Sequence, residues 1–148
     1  MTISELKLEL DKFNRSFKVL IKNPQIWDFG EFSSEMRKSF KSENDRFLAD
    51  ELCRVMDKLE EASNVLDYLS RPIIGEYFLR KNSRGRYECN QHEYTSGDRI
   101  EYYCYDEYDD KYKWVRSRIE YDSNIEDYYI VGAPRSFSLE GAKVRIRK

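Results

Sequence analysis

The stretch "DRIEYYCYDEYDDKYKWVRSRIEY", residues 98–121, decides the fold of the second half of the chain. In its first run, every second residue is apolar or aromatic, so Ile100, Tyr102 and Cys104 lie on one face of a strand. This pattern is typical of a half-buried strand. A second alternating run begins near Lys113, and the acidic segment between the two runs is typical of a hairpin loop. The stretch therefore predicts two strands, each with one apolar face.

Further strands are predicted on both sides of this hairpin. Upstream, two short alternating runs flank a turn at residues 82–85, in which a glycine supplies the positive φ. Ser96-Gly97-Asp98 predicts the turn that leads into the first strand, because Asp98 can accept backbone N–H groups. Two more alternating runs close the chain. Five or six short strands with short connections predict a small antiparallel β-barrel, SH3-like or similar, or a strongly curved sheet.

The chain before the Arg71-Pro72 pair has a helical pattern. Three helices are predicted, over about residues 2–22, 32–40 and 44–69. Thr2 and Glu5 form a candidate capping box at the start of the first helix. Proline disfavours helix in the residue before it, so Arg71 should end the third helix.

These patterns predict an α+β fold in two domains. Residues 1–71 form a helical segment, either a hairpin or three helices, and residues 72–148 form the small β-barrel. The total length suits one ordinary domain or a small domain with a helical appendage.

The first and third helices each carry an apolar seam with heptad spacing. The seam residues are Ile3, Leu6, Leu10, Phe13, Phe17 and Leu20 in the first helix, and Leu48, Leu52, Val55, Leu59, Ala62, Leu66 and Leu69 in the third. Two interpretations are open: the seams pack on each other as an antiparallel hairpin, or they join two chains as a homodimer. The hairpin interpretation predicts that Leu10, Phe13, Leu52 and Leu59 are buried.

Composition limits the class of protein. The formal net charge is −2, which argues against binding nucleic acid through overall charge. No apolar run is long enough to predict a transmembrane helix, and the acidic, amphipathic N-terminus does not resemble a secretory signal. Three cysteines without a paired spacing fit reduced thiols, so we expect a cytoplasmic protein that does not act at a membrane.

The candidate chemical groups do not form a familiar catalytic set. Cys89, His92 and Cys104 could supply three metal ligands, but the spacing lacks the second pair of a structural zinc site. His92 has no evident group to orient it as a general base. The acidic residues 106–110 could suggest a nuclease, but they fall on a predicted loop. We therefore expect no catalytic residues, no metal, no cofactor and no enzymatic activity.

A basic face is predicted on the outward side of the β domain. If Val115, Ile119 and Val144 point inward, alternation turns a tryptophan and five cations outward. These residues are Trp114, Arg116, Arg118, Lys143, Arg145 and Arg147. As a binding surface they would suit phosphates or carboxylates. The alternative is a solvated face whose arginines pair with Glu101 and Glu120 across strands.

A family resemblance covers about residues 74–147. The string "GRY…YTSGDRIEY…WVRSRIEY…DYYIVG…LEGAKVRIR" resembles a family of short proteins from Gram-positive bacteria, their plasmids and their phages, known as a domain of unknown function. The resemblance implies a compact β domain and a mobile-element setting. It assigns no catalytic residues.

We therefore expect a non-enzymatic binding protein whose partner is another protein or a ribonucleoprotein. In the form that the mobile-element setting suggests, it inhibits a host defence complex by occlusion, as anti-CRISPR proteins do. The alternative is a nucleic-acid-binding module that uses the basic, aromatic face of the β domain.

Overall fold

A computed structural model describes residues 1–148 of the chain. Its internal contacts divide it into two compact units, Met1–Arg71 and Pro72–Lys148. The fold is α+β, with the helices in the first unit and antiparallel sheets in the second. None of the three helices combines the length and the apolar character that crossing a membrane requires.

The first unit contains two long helices and a short connecting region. Its elements are α1 (Ile3–Ile21), β1 (Trp27–Asp28), β2 (Glu31–Phe32), α2 (Ser34–Arg37) and α3 (Glu43–Ser70). The second helix is therefore shorter than predicted, and the β1–β2 ribbon before it was not predicted from the sequence.

Local signals fix the helix ends. The predicted capping box at Thr2 and Glu5 is confirmed, with both reciprocal hydrogen bonds formed. Ser42 and Asp45 make the same arrangement at the start of α3. Arg71 is the C-cap of α3 and has an extended backbone, as expected for a residue before proline.

Helices α1 and α3 form an antiparallel hairpin. Asn14 and Lys18 of α1 both contact Asp67, near the end of α3, and the Asn14–Asp67 hydrogen bond measures 2.9 Å. The hydrogen bond from Lys18 holds the pKa of Asp67 below its ordinary value. The segment after α1 instead brings Phe32 beside Ala49, near the start of α3.

Most residues of the predicted seams stay exposed, so the prediction that Leu10, Phe13, Leu52 and Leu59 are all buried was wrong. Leu10 is 41% exposed, Phe13 49% and Leu52 50%, and Leu59 is only half-buried. The core of this unit contains one seam residue, Phe17, together with Trp27, Phe32, Ala49 and Met56.

Aromatic residues of the connecting region explain the difference. Trp27 and Phe32 pack edge to face with their ring centroids 5.3 Å apart, and both belong to the core formed with Ala49 and Met56. Ala49 and Met56 each follow a seam residue by one position. The side chains of the connecting region therefore pack on the face of α3 next to the seam. Heptad spacing alone does not predict this contact.

The second unit contains eight strands in two sheets. The strands are β3 (Ile73–Phe78), β4 (Arg80–Lys81), β5 (Tyr87–Cys89), β6 (His92–Glu93), β7 (Arg99–Asp106), β8 (Lys111–Asp122), β9 (Asp127–Ile130) and β10 (Lys143–Arg147). Five of them form an antiparallel sheet in the order β3-β10-β7-β8-β9, and the other three form the sheet β4-β5-β6. Because β3 and β9 are the two edges of the larger sheet, the strand pairing does not close, and the predicted barrel is not confirmed.

The alternation in residues 98–121 produces the core of this unit. Ile100 and Tyr102 of β7 and Ile119 of β8 are buried on one face of the five-stranded sheet. Val144 of the last strand joins them and is fully buried. The last strand was predicted from its pattern alone, but its position between β3 and β7 depends on long-range pairing.

The predicted turns are formed. Gly85 has a φ of 76°, and the side chain of Asn82 accepts hydrogen bonds from the backbone N–H groups of Arg84 and Arg86. In the second turn, Asp98 accepts from the backbone N–H of Thr95 at 2.7 Å. Both turns use a side-chain acceptor to satisfy backbone donors that would otherwise be unpaired.

We expect residues 72–148 to fold alone as a β domain, because the core around Ile100, Ile119 and Val144 is formed within this unit. Circular dichroism of that fragment should show a β spectrum with a cooperative thermal transition. A disordered fragment would show that the helical unit is needed to complete the β core.

Candidate binding surface on the five-stranded sheet

The face of the five-stranded sheet opposite the core carries all six residues predicted to point outward. Trp114 pairs with Tyr103 and Arg116 with Glu101 in the β7–β8 register. Arg145 pairs with Glu101 on the other side of β7. The remaining members, Arg118, Lys143 and Arg147, lie on the same face by strand alternation. We call this side the outer face.

A buried carboxylate organises the centre of the outer face. Glu101 is only 2% exposed. The Nε–H of Arg147 donates to its carboxylate at 2.7 Å, and the Nε–H of Arg145 donates to the other carboxylate oxygen. A buried charge is tolerated only when it is paired, so these two arginines make the burial of Glu101 possible.

Arg145 and Arg147 are therefore not the solvent-facing residues that the sequence pattern indicated. Their side chains are 21% and 11% exposed. The sequence predicted the correct side of the sheet for both arginines, but it was wrong about the exposure of their side chains. Alternation assigns a side chain to a face of the sheet and does not show which carboxylate an arginine reaches. Their main contact is structural.

Two more cations of the outer face form ion pairs with carboxylates. Lys143 lies 2.6 Å from Glu76 of β3. Arg118 lies 2.9 Å from Glu120, two residues along β8. The ion pairs of Arg145 and Arg147 agree with the alternative interpretation, in which arginines pair with Glu101 across strands. Arg118 reaches Glu120 along its own strand, and the partner of Lys143 was not predicted. Arg116 is exposed and lies opposite Glu101 in the register.

Aromatic rings form a continuous group beside these charges. The ring of Tyr103 stacks on Tyr112 with centroids 5.3 Å apart and an interplanar angle of 17°, and it lies 5.0 Å from Trp114. Tyr105 contacts Tyr112 from the other side. The guanidinium of Arg145 lies 4.6 Å from the centre of the Trp114 ring. This cation–π contact joins the aromatic group to the Glu101 centre.

The outer part of this group is open to solvent. Tyr112 is 61% exposed and Tyr105 45%. Phe78 of β3 is 62% exposed and pairs with Lys143 across the sheet, on the same face. We define the aromatic patch as Phe78, Tyr103, Tyr105, Tyr112 and Trp114.

Sequence reasoning found only one member of the aromatic patch, Trp114. Tyr103 and Tyr105 alternate with the core residues of β7, so period-two alternation could have placed them on the outer face. Tyr112 follows from the same rule applied to β8. Phe78 could not be found in this way, because its place beside Lys143 depends on β3 pairing with the last strand.

The candidate metal and catalytic residues lie elsewhere in the β unit. Cys89 is part of the core, and burial raises the pKa of its thiol. The His92 ring packs edge to face on Tyr94, with centroids 4.4 Å apart. These residues do not gather with Cys104 into a group of three that could hold a metal ion.

The acidic loop after β7 is engaged with its own hairpin. Lys113 forms an ion pair with Asp106, and their hydrogen bond holds the pKa of Asp106 below its ordinary value. Tyr105 donates a hydrogen bond to Asp110. The contacts of these carboxylates thus lie within the β7–β8 hairpin and its loop.

Comparison with family models gives one match in this half of the chain. The matched model is DUF5348, a domain of unknown function, over residues 76–146. A DUF5348 domain covers the C-terminal half of this chain. The expected resemblance to a domain of unknown function is thereby confirmed, whereas the bacterial and mobile-element setting stays a prediction. Neither the curated proteins nor the solved structures contain a significant match.

The DUF5348 domain includes the whole aromatic patch and the buried Glu101. It also includes five of the six predicted outer-face residues, and the sixth, Arg147, comes directly after its matched end. The candidate surface is therefore a feature of this domain.

We expect Glu101→Gln to lower the free energy of unfolding of the DUF5348 domain by about 1–3 kcal/mol, because it leaves two arginines beside a neutral amide. Glu120→Gln is the matched control: its partner Arg118 is 59% exposed, and an exposed ion pair contributes within about 0.5 kcal/mol. Hydrogen exchange of the β7 and β10 amides in the intact chain measures both effects. Equal protection in the two variants would contradict the role assigned to Glu101.

Proposed function

We propose that this chain is a non-enzymatic binding protein and that the aromatic patch of its DUF5348 domain binds another protein. The proposal is supported by aromatic rings that are exposed to solvent beside cations that already form ion pairs with carboxylates of the same domain. Phe78 and Tyr112 are both more than three fifths exposed, beside the Lys143–Glu76 and Arg145–Glu101 ion pairs.

The chemistry of the aromatic patch suits a protein partner. Tyrosine, tryptophan and arginine are enriched at the centres of protein interfaces, because rigid rings bury a large area at a low entropic cost. The rings are held on paired strands, and four of the five contact a neighbouring ring, so they are ordered before a partner arrives. Such preorganisation reduces the cost of association.

A narrower form of the proposal names the partner as a host defence complex, either a protein or a ribonucleoprotein. Its support is the mobile-element setting implied by the family resemblance, and occlusion would require only a surface of this kind. In this form the protein acts in the cytoplasm of a bacterial host.

A second candidate function is binding of single-stranded nucleic acid. Exposed rings on a sheet can stack on bases, and the open rings of Tyr105 and Tyr112 favour this use. The ion pairs count against it, because four of the five cations already hold carboxylates on the same face. Protein binding is therefore the first candidate.

The test is affinity capture from a lysate of a Gram-positive bacterium with three baits. These are the wild type, Phe78→Ala/Tyr112→Ala, and the control Tyr108→Ala/Ile125→Ala, which removes two other exposed apolar side chains. A specific partner should bind the wild type and the control, and its affinity for the patch variant should fall about tenfold or more. A partner that binds all three baits equally would contradict the proposal.

The nucleic-acid candidate is tested with a labelled oligothymidine and an oligouridine at about 50 and 200 mM salt. Binding that falls steeply with salt and is lost in Phe78→Ala/Tyr112→Ala would favour the second candidate. Absence of binding at the lower salt concentration would rule it out for these probes.

A further inference from the structure

The heptad seam of α1 is exposed over most of its length. Leu6 is 40% exposed, Leu10 41%, Phe13 49% and Leu20 40%, and Ile3 is 80% exposed. The seam has spacings of three and four residues throughout, so these side chains lie along one stripe of the helix.

Helix α3 exposes a second seam with the same spacing. Leu48 is 47% exposed, Leu52 50%, Val55 49% and Leu69 38%. Leu59 and Leu66, between them, are half-buried. Both long helices of the unit therefore present an apolar stripe that the chain itself leaves largely uncovered.

The two stripes lie on the same side of the hairpin. In α3 the buried residues Ala49 and Met56 each follow a seam residue by one position. In α1 the buried residues are Asn14, which follows Phe13, and Phe17, which belongs to the seam itself. The contact side of each helix is therefore displaced from its seam in the same rotational sense, by about 100° in α3 and by less in α1. In two antiparallel helices, stripes that are displaced from the contact in the same rotational sense lie on the same side of the pair. Both seams therefore lie on one side of the hairpin, which we call the seam face.

The first half of α1 has no support from the rest of its unit. No side chain between Ile3 and Phe13 is buried, and the first buried residue is Asn14. Short isolated helices are marginal in water, and most helical stability in proteins comes from packing of an apolar face. The exposed leucines of this segment are therefore the side chains whose burial would stabilise it.

The apolar area of the two seams is as large as the biggest apolar patch on a typical monomer, which is about 300–600 Å² and often functional. A large side chain has on the order of 150–250 Å² of surface. Nine seam side chains, each 38–80% exposed, together expose several hundred Å². Contiguous apolar patches of that size mark interaction sites, and a stable interface covers about 800 Å² on each partner.

We propose that the seam face binds a second copy of this chain, forming a two-fold symmetric dimer with a four-helix core. Two helical seams of equal 3.5-residue period on one face match the knobs-into-holes packing of a second identical pair. A two-fold interface requires one self-complementary surface, and the seam face supplies it. No residue of the seam face belongs to the DUF5348 domain.

The test is the mass of the intact chain in solution at about 100 μM, where an interface with a Kd near 1 μM is almost fully formed. The wild type should have a mass near 35.8 kDa, twice the 17.9 kDa of one chain. Leu10→Glu and Leu52→Glu should each return a mass near 17.9 kDa with the helical circular dichroism of α3 retained. The thermal midpoint of the wild type should also rise with concentration, and that rise should disappear in both variants.

Val19→Glu is the matched control, because Val19 is 76% exposed on α1 but lies off the seam. It should leave the dimer intact. If either glutamate variant loses its helical signal, the milder Leu10→Ala/Leu52→Ala variant should still weaken the dimer about tenfold or more. A monomeric wild type, or a dimer that resists the seam variants, would overturn the proposal. Dissociation by Val19→Glu to the same extent would also overturn it.

Discussion

A single buried carboxylate constrains the sheet of the DUF5348 domain. Glu101 is the third residue of β7, the central strand of five, and is almost fully removed from water. Its charge can be buried only with strong partners, and Arg145 and Arg147 of β10 provide them. The pairing favours β10 as the neighbour of β7, although β10 lies at the far end of the chain. The opposite side of the same strand carries Ile100 and Tyr102 into the core.

This constraint divides the outer face into two regions with different roles. The cations near Glu101 hold the sheet together, and the aromatic patch extends from them toward solvent through the Arg145–Trp114 contact. Substitutions near the centre should change stability before they change binding, whereas substitutions at Phe78 or Tyr112 should do the reverse. The rings that we propose as a binding surface thus lie beside a network of ion pairs that holds the strands in place.

Much of the local structure could be predicted from the sequence, because local chemistry determines it. The capping box at Thr2, the end of α3 at Arg71, the turn at Gly85 and the alternation of β7 and β8 all depend on residues close in the chain. The outward side of Trp114 followed from the same alternation.

The remaining features depend on contacts between distant residues. Heptad spacing revealed the seams but not that Trp27 and Phe32 would draw the adjacent flank inward. Alternation located the last strand but not its place between β3 and β7, so Phe78 could not be placed on the outer face. Pairing of arginines with Glu101 was one of the two interpretations that the sequence left open, and the strand order decides between them. A closed barrel was a reasonable expectation from strand number, yet closure depends on edge pairing that no local pattern encodes.

Arg145 and Arg147 bind Glu101 and are not available to a partner. Nuclear magnetic resonance of arginine Nε–H groups tests this pairing directly, because a buried Nε–H bonded to a carboxylate exchanges slowly with water. We expect two slowly exchanging Nε–H signals, which belong to Arg145 and Arg147, and each should be coupled across its hydrogen bond to the Glu101 carboxylate. The Nε–H signal of the exposed Arg118 should exchange faster. Fast exchange at Arg145 and Arg147, equal to that of Arg118, would contradict this pairing.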